Sequence, residues 1–138
     1  MNSTSPAPAS VPVVSRKVLW TGRVLSILPS LLLAFSAVMK FVRPPGTAEG
    51  FAHLGIPFSH ALGLGFLELG CVIVYAVPRT AVLGAVLLTG YLGGAMQTHL
   101  RIGEPVVMHV ILGVVIWGGI YLREPRLRAL MPLRRPLE

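Results

Sequence analysis

The chain has 138 residues, of which 54% are hydrophobic and only 12% charged, against roughly 25% charged in an ordinary soluble domain. With a mean hydropathy of +0.74, this composition excludes a disordered polypeptide and points to a membrane protein. The charge is lopsided, 12 Lys and Arg against 5 acids, all Glu. A nucleic-acid partner is nevertheless not expected, because no soluble fold remains to carry a basic patch, and basic residues in so apolar a chain flank membrane spans.

Residues 1–18, rich in Pro, Ser and Ala before Arg16, read as a disordered N-terminal tail. Arg16, Lys17 and Arg23 precede an apolar run, 24–42, long enough at 1.5 Å per residue to cross about 30 Å of hydrocarbon. This run is longer than a signal-peptide core, and Phe35-Ser36-Ala37 lacks the small residue of the outer cleavage position, so it is expected to be a retained span. Residues 44–56 hold Gly46, Glu49, Gly50, His53 and Gly55 and read as a loop, with Phe51 and Leu54 at the interface. Ser59 is expected to cap a second span over 59–77. A short turn at Arg79 leads to a third span, 80–100, and Pro105 suits the first turn of a fourth, 105–122. Short turns make neighbouring spans antiparallel. The predicted fold is therefore all-α, a four-transmembrane-helix antiparallel bundle over residues 19–124, followed by a basic tail, 125–138.

Lys and Arg divide unequally between the two ends of such a bundle. Nine (Arg16, Lys17, Arg23, Arg79, Arg123, Arg126, Arg128, Arg134, Arg135) fall on the side of the termini and three (Lys40, Arg43, Arg101) on the other, which predicts both termini in the cytoplasm. Trp20 and Tyr121 would lie at the cytoplasmic interface, and the basic flank would meet anionic headgroups of the bilayer. Small residues at Gly90, Gly93 and Gly94, at Ala61 and Gly65, and at Gly113, Gly118 and Gly119 offer faces for close helix packing. Packing is what small residues in spans usually do; the alternative is that they line a pocket or act as hinges.

Glu68 falls near the middle of the second span, where an acidic side chain costs about 2.5–3.5 kcal/mol to insert. It is expected to face the interior and to be protonated or paired. Cys71 and Tyr75 follow on the same helical face. Two readings of Glu68 stay open, a proton-handling or ligand-binding site and a structural carboxyl bonded across helices. Lys40, His99, Arg101 and His109 all fall toward the opposite face of the membrane from the termini. His109, about 6 Å into its helix, and Glu68, about 13 Å into its own, would differ in depth by roughly 7–8 Å. Ser26 and Ser36 share nearly the same face of the first span as Lys40, giving an inward polar stripe. No two histidines stand three or four apart on a helix, and the sequence lacks His-Glu-x-x-His and Cys-x-x-Cys-His, so no metal or haem site is expected. The single Cys71 excludes an intramolecular disulfide and a cysteine zinc site.

The stretch GGAMQTHLRIGEP from Gly93 to Pro105 resembles the DoxX-like family of small bacterial membrane proteins, as do the lysine closing the first span at Lys40, Gly55-Ile56-Pro57 and GFLELG around Glu68. The resemblance covers residues 20–122. It implies a four-helix integral protein of the bacterial cytoplasmic (inner) membrane, and it matches Lys40, Glu68, His99 and Arg101 to the family pattern. Some relatives are named for a subunit of a thiosulfate:quinone oxidoreductase, and others are implicated in oxidoreductase complexes handling oxidative or thiol stress. The paired cysteines of a thiol-redox protein are absent here. The expected function is an accessory membrane component, not catalytic alone, with a site inside the bundle for an apolar small molecule such as a quinone. The alternatives are a membrane subunit of a quinone-linked oxidoreductase, with a redox enzyme partner, and a small transporter or a purely structural subunit. The component could also form a homo-oligomer.

Overall fold

A computed structural model describes residues 15–131. Six α-helices make up nearly all of it. Helix α1 (Arg16–Val42) is followed by a short α2 (Thr47–His53), a 3-10 turn (Phe58–His60) running directly into α3 (Ala61–Ala76), then α4 (Ala81–Arg101), α5 (Val107–Arg123) and α6 (Pro125–Leu130). Three segments, Arg16–Val42, Phe58–Ala76 and Ala81–Arg101, are long and apolar enough to cross a membrane, and α5 is a shorter apolar helix of 17 residues.

The ends of these helices follow local chemistry. Ser15 accepts a hydrogen bond from the Val18 N–H and opens α1 two residues before the predicted end of the N-terminal tail. The rest of that tail, residues 1–14, lies outside the described residues. Arg43 closes α1 in the left-handed region at φ 54°, its N–H donating to the Met39 carbonyl. The predicted loop 44–56 contains a helix: Gly46, at φ 92°, turns the chain so that Thr47 begins α2, and the Thr47 hydroxyl donates to the Pro44 carbonyl. Phe51 is buried from this helix and meets Phe58 edge-on. Two expected starts move. Ser59 sits inside the 3-10 turn and makes no cap, and Pro105 precedes α5, which begins at Val107. The basic tail also starts as helix α6, capped by Glu124; residues 132–138 lie outside the described residues. Leu127 anchors α6, and Arg128 donates to the Tyr121 and Leu122 carbonyls at the end of α5, satisfying acceptors that a helix terminus leaves free.

Each long helix has two principal neighbours. Helix α1 packs on α3 and α5, and α4 packs on the same two. Their outward faces carry exposed Leu31, Phe35, Phe66 and Val114, the apolar surface that lipid contact requires. Inward, Tyr75, Leu88, Ile116 and Ile120 are fully buried. The Tyr75 hydroxyl reaches both the Ile116 carbonyl (2.8 Å) and Ser26 Oγ (3.0 Å), joining α3 to α5 and α1. Tyr75→Phe would leave the Ile116 carbonyl without that donor, and we expect it to lower stability by about 1–3 kcal/mol, read as a lower thermal unfolding midpoint in detergent.

Close packing depends on fewer glycines than their spacing implies. A Cβ added at Gly90, Gly93, Gly94, Gly113 or Gly118 would meet nothing within 4 Å, whereas one at Gly22, Gly65, Gly84 or Gly119 would collide with a neighbouring helix. Gly65 and Gly119 keep their predicted packing role. The predicted packing face on α4 is corrected: the glycine that brings α4 onto α3 is Gly84, whose added side chain would run into the backbone of Tyr75.

Candidate functional site

Helices α1 and α4 lie diagonally across the ring, and between them is a cavity of about 940 Å³ walled by α1, α3, α4 and the start of α5 and covered at one end by α2 and the segment after it. Its walls are mainly apolar, with Leu33, Leu64, Leu67, Leu87 and Leu112 among them.

Glu68 lines this cavity from α3 and is 1% exposed. Its Oε2 accepts from Lys40 Nζ at 2.8 Å and from the Ser36 hydroxyl at 3.3 Å, both on α1. The partner expected for a carboxyl buried in mid-span is therefore Lys40. The Lys40 ammonium also reaches Ser36 Oγ (2.7 Å) and the Ser36 carbonyl (3.3 Å). An ammonium has three protons, so these three acceptors saturate it. Lys40 therefore holds Glu68 in place and has no proton left to donate to another molecule. Ser36 and Lys40 stand four apart on one face of α1, the polar stripe seen in the sequence, and Ser26 extends it toward Tyr75.

The other candidate residues divide between the cavity and its cover. Cys71 lines the cavity one turn from Glu68. Tyr75, expected beside them, instead forms the buried lock described above and takes no part in the cavity lining. His99 and His109 both line it, with ring centroids 4.7 Å apart, and His109 Nδ1 is buried without a hydrogen-bond partner. Arg101 takes no part in the cavity lining and donates to the Leu54 carbonyl at the end of α2. Among the described residues, no three His, Cys or carboxylate side chains are grouped so as to hold a metal ion.

Sequence reasoning missed Tyr91 and the clasp around Glu104. Tyr91 lines the cavity from α4, close enough to Glu68 to interact with its carboxylate; a lone tyrosine within a glycine-rich apolar span was the available signal. Glu104, in the turn after α4, is bonded through Oε1 to His53 Nε2 of α2 (2.7 Å) and through Oε2 to His99 Nδ1 (2.6 Å). A carboxylate only accepts, so both imidazoles donate, which places the His99 proton on Nδ1 and makes Nε2 an acceptor while the ring is neutral. Together with Arg101 on Leu54, this clasp fastens the cover of the cavity to the α4–α5 turn.

The hydrogen bonds from His53, and then from His99, hold the Glu104 carboxyl below its usual range. A carboxyl depressed in the folded state contributes stability above its unfolded pKa and loses it as pH falls through the folded one. We therefore expect the amides of α2 to stay equally protected from hydrogen exchange between neutral and mildly acidic pH, and to lose protection only below the ordinary glutamate range. Glu104→Gln should give exchange at neutral pH that already resembles the acid form.

A helical chain with membrane-length apolar segments around a mainly apolar cavity is a multi-pass membrane protein. Residues 24–119 match the model of the DoxX-like family, and the chain belongs to that family. No curated protein and no solved structure matches it.

Proposed function

We propose that this protein is an accessory component of the bacterial cytoplasmic membrane that holds an apolar small molecule of the quinone class inside a four-span antiparallel bundle, with both termini in the cytoplasm. The observation that carries this reading is the cavity, whose size falls within the 300–1,000 Å³ of ordinary ligand sites and whose apolar walls enclose a buried ion pair. A quinone needs an apolar slot and a few polar groups for its carbonyl oxygens. Tyr91 can donate near Glu68, and the His99 and His109 imidazoles add polar groups to the cavity wall. Glu68, fixed by Lys40, supplies an acceptor for a quinol hydroxyl. The orientation is supported by the nine-to-three division of Lys and Arg. A redox enzyme that shares the bound quinone is the kind of partner this site would serve.

The test exploits Gly90, which lines the cavity and whose added Cβ meets nothing within 4 Å. Gly90→Leu should fill the site while leaving the fold intact. Labelling by a photoreactive quinone analogue in nanodiscs should map to α3 and α4 in the wild type and fall about tenfold in the variant, the scale of 1–3 kcal/mol that overpacking costs. Equal labelling of both proteins, with equal thermal unfolding, would remove the site from consideration.

A further inference from the structure

A second groove lies at the other end of the bundle, among α1, α3 and α5, with a volume of about 300 Å³. It shares no residue with the cavity around Glu68. Arg23 and Arg123 line it together with Ser26, Ser30 and Tyr75, and Ile27 and Leu31 continue it along α1.

Its electrostatics are uncompensated. The Arg123 guanidinium lies over the Tyr75 ring (5.2 Å) and donates one Nη proton to the Tyr75 carbonyl at 3.3 Å, but its Nε is buried with no acceptor. A guanidinium always carries its charge and presents its protons in a fixed fork, so this one is positioned, with one Nη proton taken up by the Tyr75 carbonyl. Arg23 stands over Trp20 at 5.3 Å. Neither arginine forms an ion pair among the described residues. The nearest acid in sequence, Glu124, is occupied as the cap of α6. The serines add no free donors, because Ser26 donates to the Gly22 carbonyl and Ser30 to the Ser26 carbonyl.

The form of the groove narrows what neutralises it. Arg23, Ile27 and Leu31 follow one another at four-residue steps, so one face of α1 passes from a cation to apolar side chains over about 12 Å. Ile27 is 52% and Leu31 64% exposed, which places this face toward lipid. A free anion would use the arginines and leave the apolar stretch idle. A phospholipid uses both.

We propose that this groove is a binding site for an anionic phospholipid, its phosphodiester held by Arg23 and Arg123 and an acyl chain lying along Ile27 and Leu31. It is independent of the quinone reading, since neither site contributes a residue to the other. Arg123 supplies geometry as well as charge, because its guanidinium is held in place by the stack on Tyr75 and the bond to the Tyr75 carbonyl, and lysine cannot reproduce that fork.

The experiment is native mass spectrometry of the delipidated full-length protein in detergent, titrated with phosphatidylglycerol, with phosphatidylcholine, or with inorganic phosphate as competitor. At about a fivefold contribution per arginine near the membrane surface, phosphatidylglycerol should be retained roughly thirtyfold better than phosphatidylcholine. Arg123→Gln and Arg23→Gln should each remove about fivefold, Arg123→Lys should recover only part of that loss, and Arg126→Gln, outside the groove, should remove none. Equal retention of the two lipids by the wild type would overturn the proposal whatever the variants do. So would displacement of phosphatidylglycerol by millimolar inorganic phosphate, which would mark a free-anion site, or an Arg126→Gln loss as large as that of Arg123→Gln, which would mark diffuse surface charge.

Discussion

Glu68→Leu will destabilise the protein by about 3–5 kcal/mol, the usual cost of removing one partner of a buried ion pair, because it leaves the Lys40 ammonium in an apolar interior with only Ser36 for company. Lys40→Met should do the same from the other side, stranding a carboxylate that is 1% exposed. The double variant Lys40→Met/Glu68→Leu removes both charges together and is expected to recover most of the lost stability, since apolar replacements of a whole buried pair are often neutral or better. Equilibrium unfolding in mixed micelles gives the cycle. If the single variants unfold like the wild type, the pair contributes nothing to the fold. Ligand binding separates from stability in the double variant: a quinone analogue should bind the refolded double variant poorly, while a purely structural pair would leave binding unchanged. Glu68→Gln is the conservative companion, retaining an acceptor for Lys40 and Ser36 without the negative charge.

The second large effect is expected at Gly84. Its position on α4 faces the Tyr75 backbone on α3 so closely that even a methyl group overlaps main-chain atoms, and main chain within a helix cannot rotate aside as a side chain can. Gly84→Ala should cost about 3 kcal/mol or more, at the upper end of overpacking penalties, and Gly84→Val should prevent α3 and α4 from docking. Gly93→Ala is the control, since nothing stands within 4 Å of its added Cβ and alanine is about 1 kcal/mol better than glycine inside a helix. Opposite signs for two glycine-to-alanine changes nine residues apart on one helix, read by thermal unfolding in detergent, would distinguish a true contact from a general preference for small residues. Equal effects would show that the α3–α4 approach does not set stability.

How much of this was legible beforehand depends on the length scale of each feature. The long helices follow from unbroken apolar runs, which carry their own hydrogen bonding and need no partner to be recognised. Helix α2 was hidden because its residues mix Gly, Glu and His, and it is held by a turn at Gly46 and by burial of Phe51, neither of which leaves a periodic trace. Glu68 announced itself through the cost of a carboxylate in mid-span. Its partner was harder to assign, because Lys40 and Glu68 are 28 residues apart and their meeting depends on how α1 and α3 cross. Cys71 and Tyr75 are both buried with Glu68 on α3, but a shared face does not say how far a cavity extends along it: Cys71 lines the wall, while Tyr75, two turns below Glu68, lies where the cavity has closed into packed core. The glycine motifs misled for a related reason: spacing shows which residues share a face and says nothing of which face meets a neighbour. Gly84 lies outside the Gly90, Gly93 and Gly94 group and makes the tightest approach of α4.

The ion pair also bears on how the chain is built. A carboxylate at the centre of a span enters hydrocarbon at about 2.5–3.5 kcal/mol, whereas Lys40 sits two residues from the end of α1, where its long side chain can reach toward the headgroups. Helix α1 is synthesised first. Ser36 and Lys40 therefore exist before Glu68 does, and the groups that hide its carboxylate come earlier in the chain than the carboxylate itself.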